Sequence, residues 1–179
     1  MTNGHSQCGS FEELAMPLFG SLYNFAHWLA QNREEAEDLV QETYVKALKG
    51  FASFQQGTNF RAWMFRILRN SFLTSRSGLK AASTVSLDEE ENEPVMPATS
   101  ETPESFLLAH ADQEQIQSAL QQLSPPFREI ILLCDVEEMS YQETADTLGV
   151  PIGTVMSRLS RARKAMRKLL ETRVRRAAS

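Results

Sequence analysis

The sequence predicts an all-α protein of two small helical domains joined by an acidic, flexible linker. Three observations carry that expectation. Apolar residues recur every three or four positions in two blocks, about residues 11–75 and 105–172, which is the helical period. No stretch alternates apolar and polar side chains for the length of a strand. Between the blocks lie residues 81–112, with 8 acidic side chains, no Lys or Arg, and the prolines Pro94, Pro97 and Pro103. Such a segment buries too little apolar surface to offset the entropy of ordering it. The expected organisation is a first domain over 1–76, a linker over 77–111 and a second domain over 112–179.

In the first block, Leu14, Leu18, Leu22, Phe25 and Leu29 step by three or four and predict a helix from Phe11 to Ala30. A second helix is expected from Arg33 to Phe51. Its apolar side is Ala36, Leu39, Val40, Thr43, Ala47 and Leu48, and Glu34, Glu35, Glu37 and Asp38 crowd the early turns, where the helix dipole favours acids. Ser53 to Asn59, with Gly57, reads as a loop. A third helix follows from Phe60 to about Ser75, with Trp63, Ile67, Leu68 and Phe72 as its apolar stripe. In the second block a helix over about Ser105 to Leu123 is stopped by Ser124-Pro125-Pro126. Phe127 to Val136 and Ser140 to Leu148 are expected to be helical. After Gly149-Val150-Pro151 comes a long helix from about Ile152 to Thr172.

The chain has 179 residues, 23 acidic and 18 basic, for a formal net charge of −5. No apolar run approaches the roughly 18 residues of a membrane span. Met1 to Ser10 lacks the basic-then-apolar pattern of a secretory signal, so a cytoplasmic address is expected. Cys8 and Cys134 form no CxxC, and His5 with Cys8 is a lone HxxC, so neither a disulfide framework nor a metal site is expected. Cys134, in an apolar stretch, is expected to be buried. A net −5 argues against nucleic-acid binding until the charge is divided. Residues 1–80 hold 8 basic and 7 acidic side chains, and residues 113–179 hold 10 and 8, whereas Thr154 to Ser179 alone hold nine Lys/Arg against one Glu.

That basic end carries helix-turn-helix spacing. Two short helices crossing at a tight turn need a small residue in the first, a turn-permitting residue four later and an apolar anchor six beyond. Ala145, Gly149 and Val155 fit, and Ser140 with Glu143 makes a capping box. On the second helix Val155, Leu159, Ala162, Met166 and Leu169 form the inward stripe. Arg158, Arg161, Lys164 and Lys168 lie outward, with Arg163 and Arg167 at the margins. Its first turns would bring Thr154, Ser157, Arg158 and Arg161 to base edges and phosphates.

The motifs taken together resemble the extracytoplasmic-function sigma factors of bacterial RNA polymerase. Residues 128–133, 139–145 and 148–163 are similar to the fourth region of that family. Residues 36–43 resemble the polymerase-docking segment of its second region, and residues 60–70 its promoter-melting helix. The resemblance implies that Asp38, Gln41 and Glu42, at i, i+3, i+4 on one helix face, dock on the β′ clamp helices of the core polymerase, with the β flap as a further contact. It implies that the loop Ser53 to Asn59 and the helix after it read the minus-10 element as single-stranded, flipped-out base. Phe54, Asn59 and Asn70 suit a pocket for such a base, and Arg66, Arg69 and Arg76 suit its backbone. Trp63 is core first by its spacing and a nucleic-acid wedge second, and Phe54 equally suits a core cap on the loop. For the duplex minus-35 element the resemblance implies Thr154, Ser157, Arg158, Arg161, Arg163 and Lys164. Where many relatives carry Lys or Arg, this chain has Met156, which cannot bind guanine bidentately. Either another residue reads that base or the promoter differs there. An anti-sigma partner is a further implication, and no cofactor or metal is implied.

As a flexible coil the 35 residues Ser77 to Ala111 average about 32 Å end to end and at full stretch reach about 120 Å. A spacer of about 17 base pairs is about 58 Å, so the linker spans it only when drawn out. It is expected to lie along a basic channel of the polymerase that nascent RNA later takes. A dimeric helix-turn-helix repressor would explain the C-terminal block alone, leaving residues 38–43 and 60–70 without a role. An enzyme finds no support, since His5, His27 and His110 are scattered and no nucleophile elbow, phosphate loop or metal spacing accompanies them.

Overall fold

The computed structural model describes residues 10–55, 57–80 and 113–177, with side chains described over 10–55, 57–77 and 113–172. Among these the all-α expectation holds: the elements are helices, short helical turns and their connections. They fall into two compact units, each taken by itself below. Most of the acidic linker, residues 81–111, and the expected helical turns over 105–112 lie outside the described residues, as do Cys8, His5 and His110.

In the N-terminal unit the single helix expected over Phe11 to Ala30 is two. Helix α1 is Phe11–Ala15, started by a capping box in which Glu13 N–H donates to Ser10 Oγ at 3.2 Å and Ser10 N–H to Glu13 Oε2 at 2.9 Å. A tight 3-10 turn, Met16–Leu18, separates it from α2, Phe19–Ala30. Pro17 is the reason, for it has no N–H to donate and its ring opposes the carbonyl four residues back. Helix α2 ends at Gln31, whose φ of 55° is left-handed and whose N–H donates to His27 O at 2.8 Å. Helix α3, Arg33–Gly50, is capped by Asn32 Oδ1, which accepts from Glu35 N–H at 3.2 Å. After the turn Phe51–Ser53 and a loop comes α4, Phe60–Lys80. It runs past Ser75, and Thr74 and Ser77 donate their hydroxyls back to Asn70 O at 2.8 Å and Leu73 O at 2.9 Å, inside the helix.

Helix α3 packs on α2 and α4. Leu22, Phe25, Leu39, Val40, Ala47, Met64, Phe65 and Leu68 make the core, with the Phe25 and Phe65 rings 5.3 Å apart. Two apolar stripes differ from the sequence reading. Leu48 is 60% exposed, although spacing placed it with the buried side of α3. On α4 the buried line is Met64, Phe65, Leu68 and Ser71, whereas Trp63, Ile67 and Phe72 are only half-buried. Docking Phe65 against Phe25 turns the helix by about one residue, roughly 100°. Ser71 then lies inside, where its hydroxyl accepts from Lys46 Nζ at 2.9 Å. Tyr44 ties α3 to α1 by donating to Ala15 O at 2.6 Å.

In the C-terminal unit α5 is Gln113–Gln122 and α6 is Pro125–Ile131, with Pro125 in the first turn and the chain continuing as one wide π turn, Leu132–Val136. Arg128 reaches back to the end of α5. Its Nε donates to Leu120 O at 2.8 Å, and Nη2 donates to Gln121 O at 2.8 Å and Leu123 O at 3.2 Å. These carbonyls close the end of the helix, where Leu120 O also accepts from Leu123 N–H at 3.3 Å, and the partly buried guanidinium, its pKa lowered by burial, caps them. Helix α7 is Tyr141–Leu148 and α8 is Ile152–Ala177. Leu120, Leu123, Ile130, Leu132, Leu133, Val155, Leu159, Ala162, Met166 and Leu170 are buried. Leu170, not Leu169, ends the inward stripe, and Cys134 is half-buried rather than buried, within reach of Thr144 at 3.4 Å.

Candidate nucleic-acid interface

Phe54 sits where the turn after α3 opens into the loop, half-buried in a cluster of rings. Its centroid lies 4.9 Å from Trp63 and 5.3 Å from Phe60, edge-on to the latter, and 6.3 Å from the nearly parallel ring of Phe51. Phe11 closes the cluster at 5.4 Å from Phe51 and 6.2 Å from Phe60. Such offset and edge contacts hold ring positions more firmly than apolar burial alone. Trp63 lies across Gly50, where a Cβ would meet the indole at 3.5 Å, an ordinary van der Waals contact. Phe54 and Trp63 are therefore both packing residues and half-open rings. Spacing alone does not single out the cluster members Phe11, Phe51 and Phe60, although the 13 residues 51–63 hold four aromatics, Phe51, Phe54, Phe60 and Trp63.

 Four rings in so short a stretch are the signal that marks the cluster.

The loop itself is held locally. Thr58 donates its hydroxyl to Gln55 O at 2.6 Å, Ser53 donates to Gly50 O at 2.8 Å, and Gly57 takes a φ of 87° that side chains rarely adopt. Asn59 caps α4, its Oδ1 accepting from Ala62 N–H at 3.0 Å. Beyond the cap, Trp63, Arg66 and Asn70 stand at i, i+3, i+7 and so share one face, with Arg69 on its flank. Arg66 and Asn70 are exposed and Arg69 is half-buried. Arg76 lies farther along, over the Phe72 ring at 5.2 Å and 3.5 Å from Glu35. A half-open aromatic pair continued by cationic and amide side chains can stack a base and hold a phosphate backbone.

Asp38, Gln41 and Glu42 are all exposed on α3, opposite the buried Ala36, Val40, Thr43 and Ala47. Glu42 pairs with Lys46 one turn on, at 2.5 Å. The same side continues into Val45, 51% exposed, so the acidic patch adjoins apolar surface.

In the second unit the turn geometry matches its spacing. Ser140 and Glu143 form the capping box of α7, with bonds of 3.2 and 2.7 Å. Gly149 has a φ of 68° and donates its N–H to Ala145 O at 2.8 Å, while Val150 N–H reaches the same carbonyl at 3.2 Å. Pro151 O then accepts from Thr154 N–H at 2.9 Å and Val155 N–H at 3.2 Å, starting α8. With Val155 and Leu159 fully inside, Arg161 and Lys164 are exposed, and Thr154, Ser157 and Arg158 are half-buried. Ser157 donates its hydroxyl to Thr154 O at 3.2 Å. Arg163 points elsewhere. It grips Asp135 with two bonds, Nε to Oδ2 at 3.2 Å and Nη2 to Oδ1 at 2.5 Å, which raise its pKa above the ordinary value. That clasp and the carbonyl cap made by Arg128 are structural roles that spacing alone does not reveal: Asp135 is distant in sequence from Arg163, and the carbonyls that Arg128 caps carry no side-chain signal.

Among the described residues, no helix is long and apolar enough to cross a membrane. Residues 16–80 match Sigma-70 region 2, and residues 113–166 match Sigma-70, region 4. The chain is 37% identical over 150 residues to the ECF RNA polymerase sigma factor EcfG of Rhodopseudomonas palustris, covering 84% of this chain and 79% of that protein. It is 34% identical over 169 residues to the ECF RNA polymerase sigma factor SigE of Mycolicibacterium smegmatis, covering 94% of this chain and 65% of the relative's length. Among solved structures, the sigma factor RpoE of Bartonella quintana, in complex with the anti-sigma factor NepR, is similar at 32% identity and a TM-score of 0.70, covering 90% of this chain and 96% of that one. Two sigma-70 regions in order, over units with the geometry described above, place this chain in the extracytoplasmic-function family of RNA polymerase sigma factors.

Proposed function

We propose that this chain directs promoter-specific initiation by bacterial RNA polymerase, with a division of labour between its units. The N-terminal unit docks on the β′ clamp helices through Asp38, Gln41 and Glu42. It captures the minus-10 element as single strand on Phe54, Asn59, Trp63, Arg66, Arg69 and Asn70. Extruding a base costs a few kcal/mol, and a ring pair already fixed by its neighbours offsets that cost without further ordering. The C-terminal unit contacts the β flap and reads the minus-35 duplex through Thr154, Ser157, Arg158, Arg161 and Lys164, while Arg163 keeps the helix seated. The proposed domains are 1–76, 77–111 and 112–179, with residues 77–80 still in the last turn of α4 and the acidic segment as tether along the polymerase. The chain works in the cytoplasm, as an initiation factor rather than as a catalyst. An anti-sigma factor holds it in reserve, as NepR is bound to the Bartonella protein.

The observation that carries this reading is the pairing, in one chain, of the aromatic and basic face on α4 with the helix-turn-helix of α7 and α8. Neither by itself separates a sigma factor from an ordinary repressor. Co-purification with core polymerase does: the full chain should be retained by core enzyme, and Asp38→Arg with Glu42→Arg should lose retention while keeping its helical content. A chain that binds duplex DNA specifically but never core enzyme would be a repressor.

A further inference from the structure

Met156 stands 42% exposed in the second turn of α8, and Ile152, one turn earlier on the same side, is 45% exposed. Two unburied apolar side chains at the start of a helix that otherwise turns Arg and Lys outward are unexpected. The helix cannot hide them. Val155, fully buried, and Leu159, 2% exposed, fix its rotation, and Met156 lies about 100° around from Val155. In a helix-turn-helix the N-terminal residues of the second helix meet base edges in the major groove. There the apolar feature offered by a base is the C5-methyl of thymine. We infer that Met156, backed by Ile152, is a specificity-determining residue that selects thymine by burying its methyl group.

This inference rests on the proposed reading of α8 as the minus-35 reader, and it makes that reading more specific. The four residue steps from Ile152 to Met156 rise about 6 Å along the helix, close to two base-pair steps of about 3.4 Å. The strip therefore faces at most two neighbouring pairs. Thr154, Ser157 and Arg161 supply the polar contacts around it, and Met, flexible and without a donor, gives guanine nothing that an Arg would give.

The test uses holoenzyme assembled from core polymerase and the full chain. Promoters are selected from a library randomised across the minus-35 element, and each thymine of the selected element is then replaced by deoxyuridine, which pairs identically and lacks only the methyl. One replacement should weaken promoter binding about three- to fivefold with the unaltered chain. It should have almost no effect with Met156→Ala, and Met156→Arg should shift selection at that pair towards guanine. An element without an enriched thymine, or one whose deoxyuridine effect is the same in both proteins, overturns the inference and leaves the sigma-factor reading standing. Failure to select any promoter overturns both.

Discussion

Arg161 and Arg163 stand two residues apart on one helix and answer to different partners. The Arg163 guanidinium is fixed to Asp135 of the π turn, whereas Arg161 is exposed on the face proposed for DNA. Arg163→Ala should therefore cost stability, about 1–2 kcal/mol after allowing for partial exposure, because it leaves a half-buried carboxylate without its cation. Both tryptophans, Trp28 and Trp63, lie in the N-terminal unit, so indole fluorescence is blind to this change and amide hydrogen exchange across residues 113–166 is the measurement. Arg161→Ala should leave that exchange unaltered, weaken promoter binding and reduce its salt dependence by about one counterion. Cys134 gives a pH test. Burial holds its thiol above the ordinary range; the charge of Asp135 adds to this, while the Thr144 contact and Arg163 partly offset it. The folded pKa is raised, so the contribution to stability is complete below the unfolded value of about 8.5 and lost as pH rises past it. Melting temperature should fall more steeply above that pH for the unaltered chain than for Cys134→Ala, and parallel curves would show that the thiol is not shielded by the fold.

At the scale of elements, most helix positions were legible because their signals are local. The capping box at Ser140, the stop at Ser124-Pro125 and the turn at Gly149 each depend on a few neighbouring residues. What was illegible depends on partners distant in sequence. Spacing cannot choose between two adjacent stripes on α4 when one offers Trp63, Ile67 and Phe72 and the other Met64, Phe65 and Ser71; the fit of Phe65 to Phe25 decides it. Ser71 lies inside with its hydroxyl bonded by Lys46 from across the helix pair, while Leu48 stays exposed. The candidate site divides in the same way. Its turn and basic positions were readable, whereas the ring cluster that holds Phe54 and the clasp that turns Arg163 inward needed the fold. Two predictions belong here. Gly149→Ala, forced to a φ of 68°, should destabilise the α7–α8 turn by about 1 kcal/mol, seen as faster amide exchange at Val150 and Thr154. Phe54→Ala should leave minus-35 binding intact and reduce strand opening at the minus-10 element, read by permanganate reactivity of its thymines; equal loss of both would place Phe54 in the fold alone.

Over the whole molecule the net charge of −5 is an average over parts with opposite tasks. The two helical units carry the basic side chains, and the acids are densest in the segment between them. Isolated, such a chain should bind promoter duplex weakly, since the acidic segment opposes approach to phosphate. The most direct test is run-off transcription by core polymerase on a promoter library, with and without this chain. The account predicts transcripts from a subset of templates sharing a minus-10 and a minus-35 element, lost with Arg66→Ala and Arg69→Ala together even where holoenzyme still forms. Equal transcription of all templates with and without the chain would contradict it.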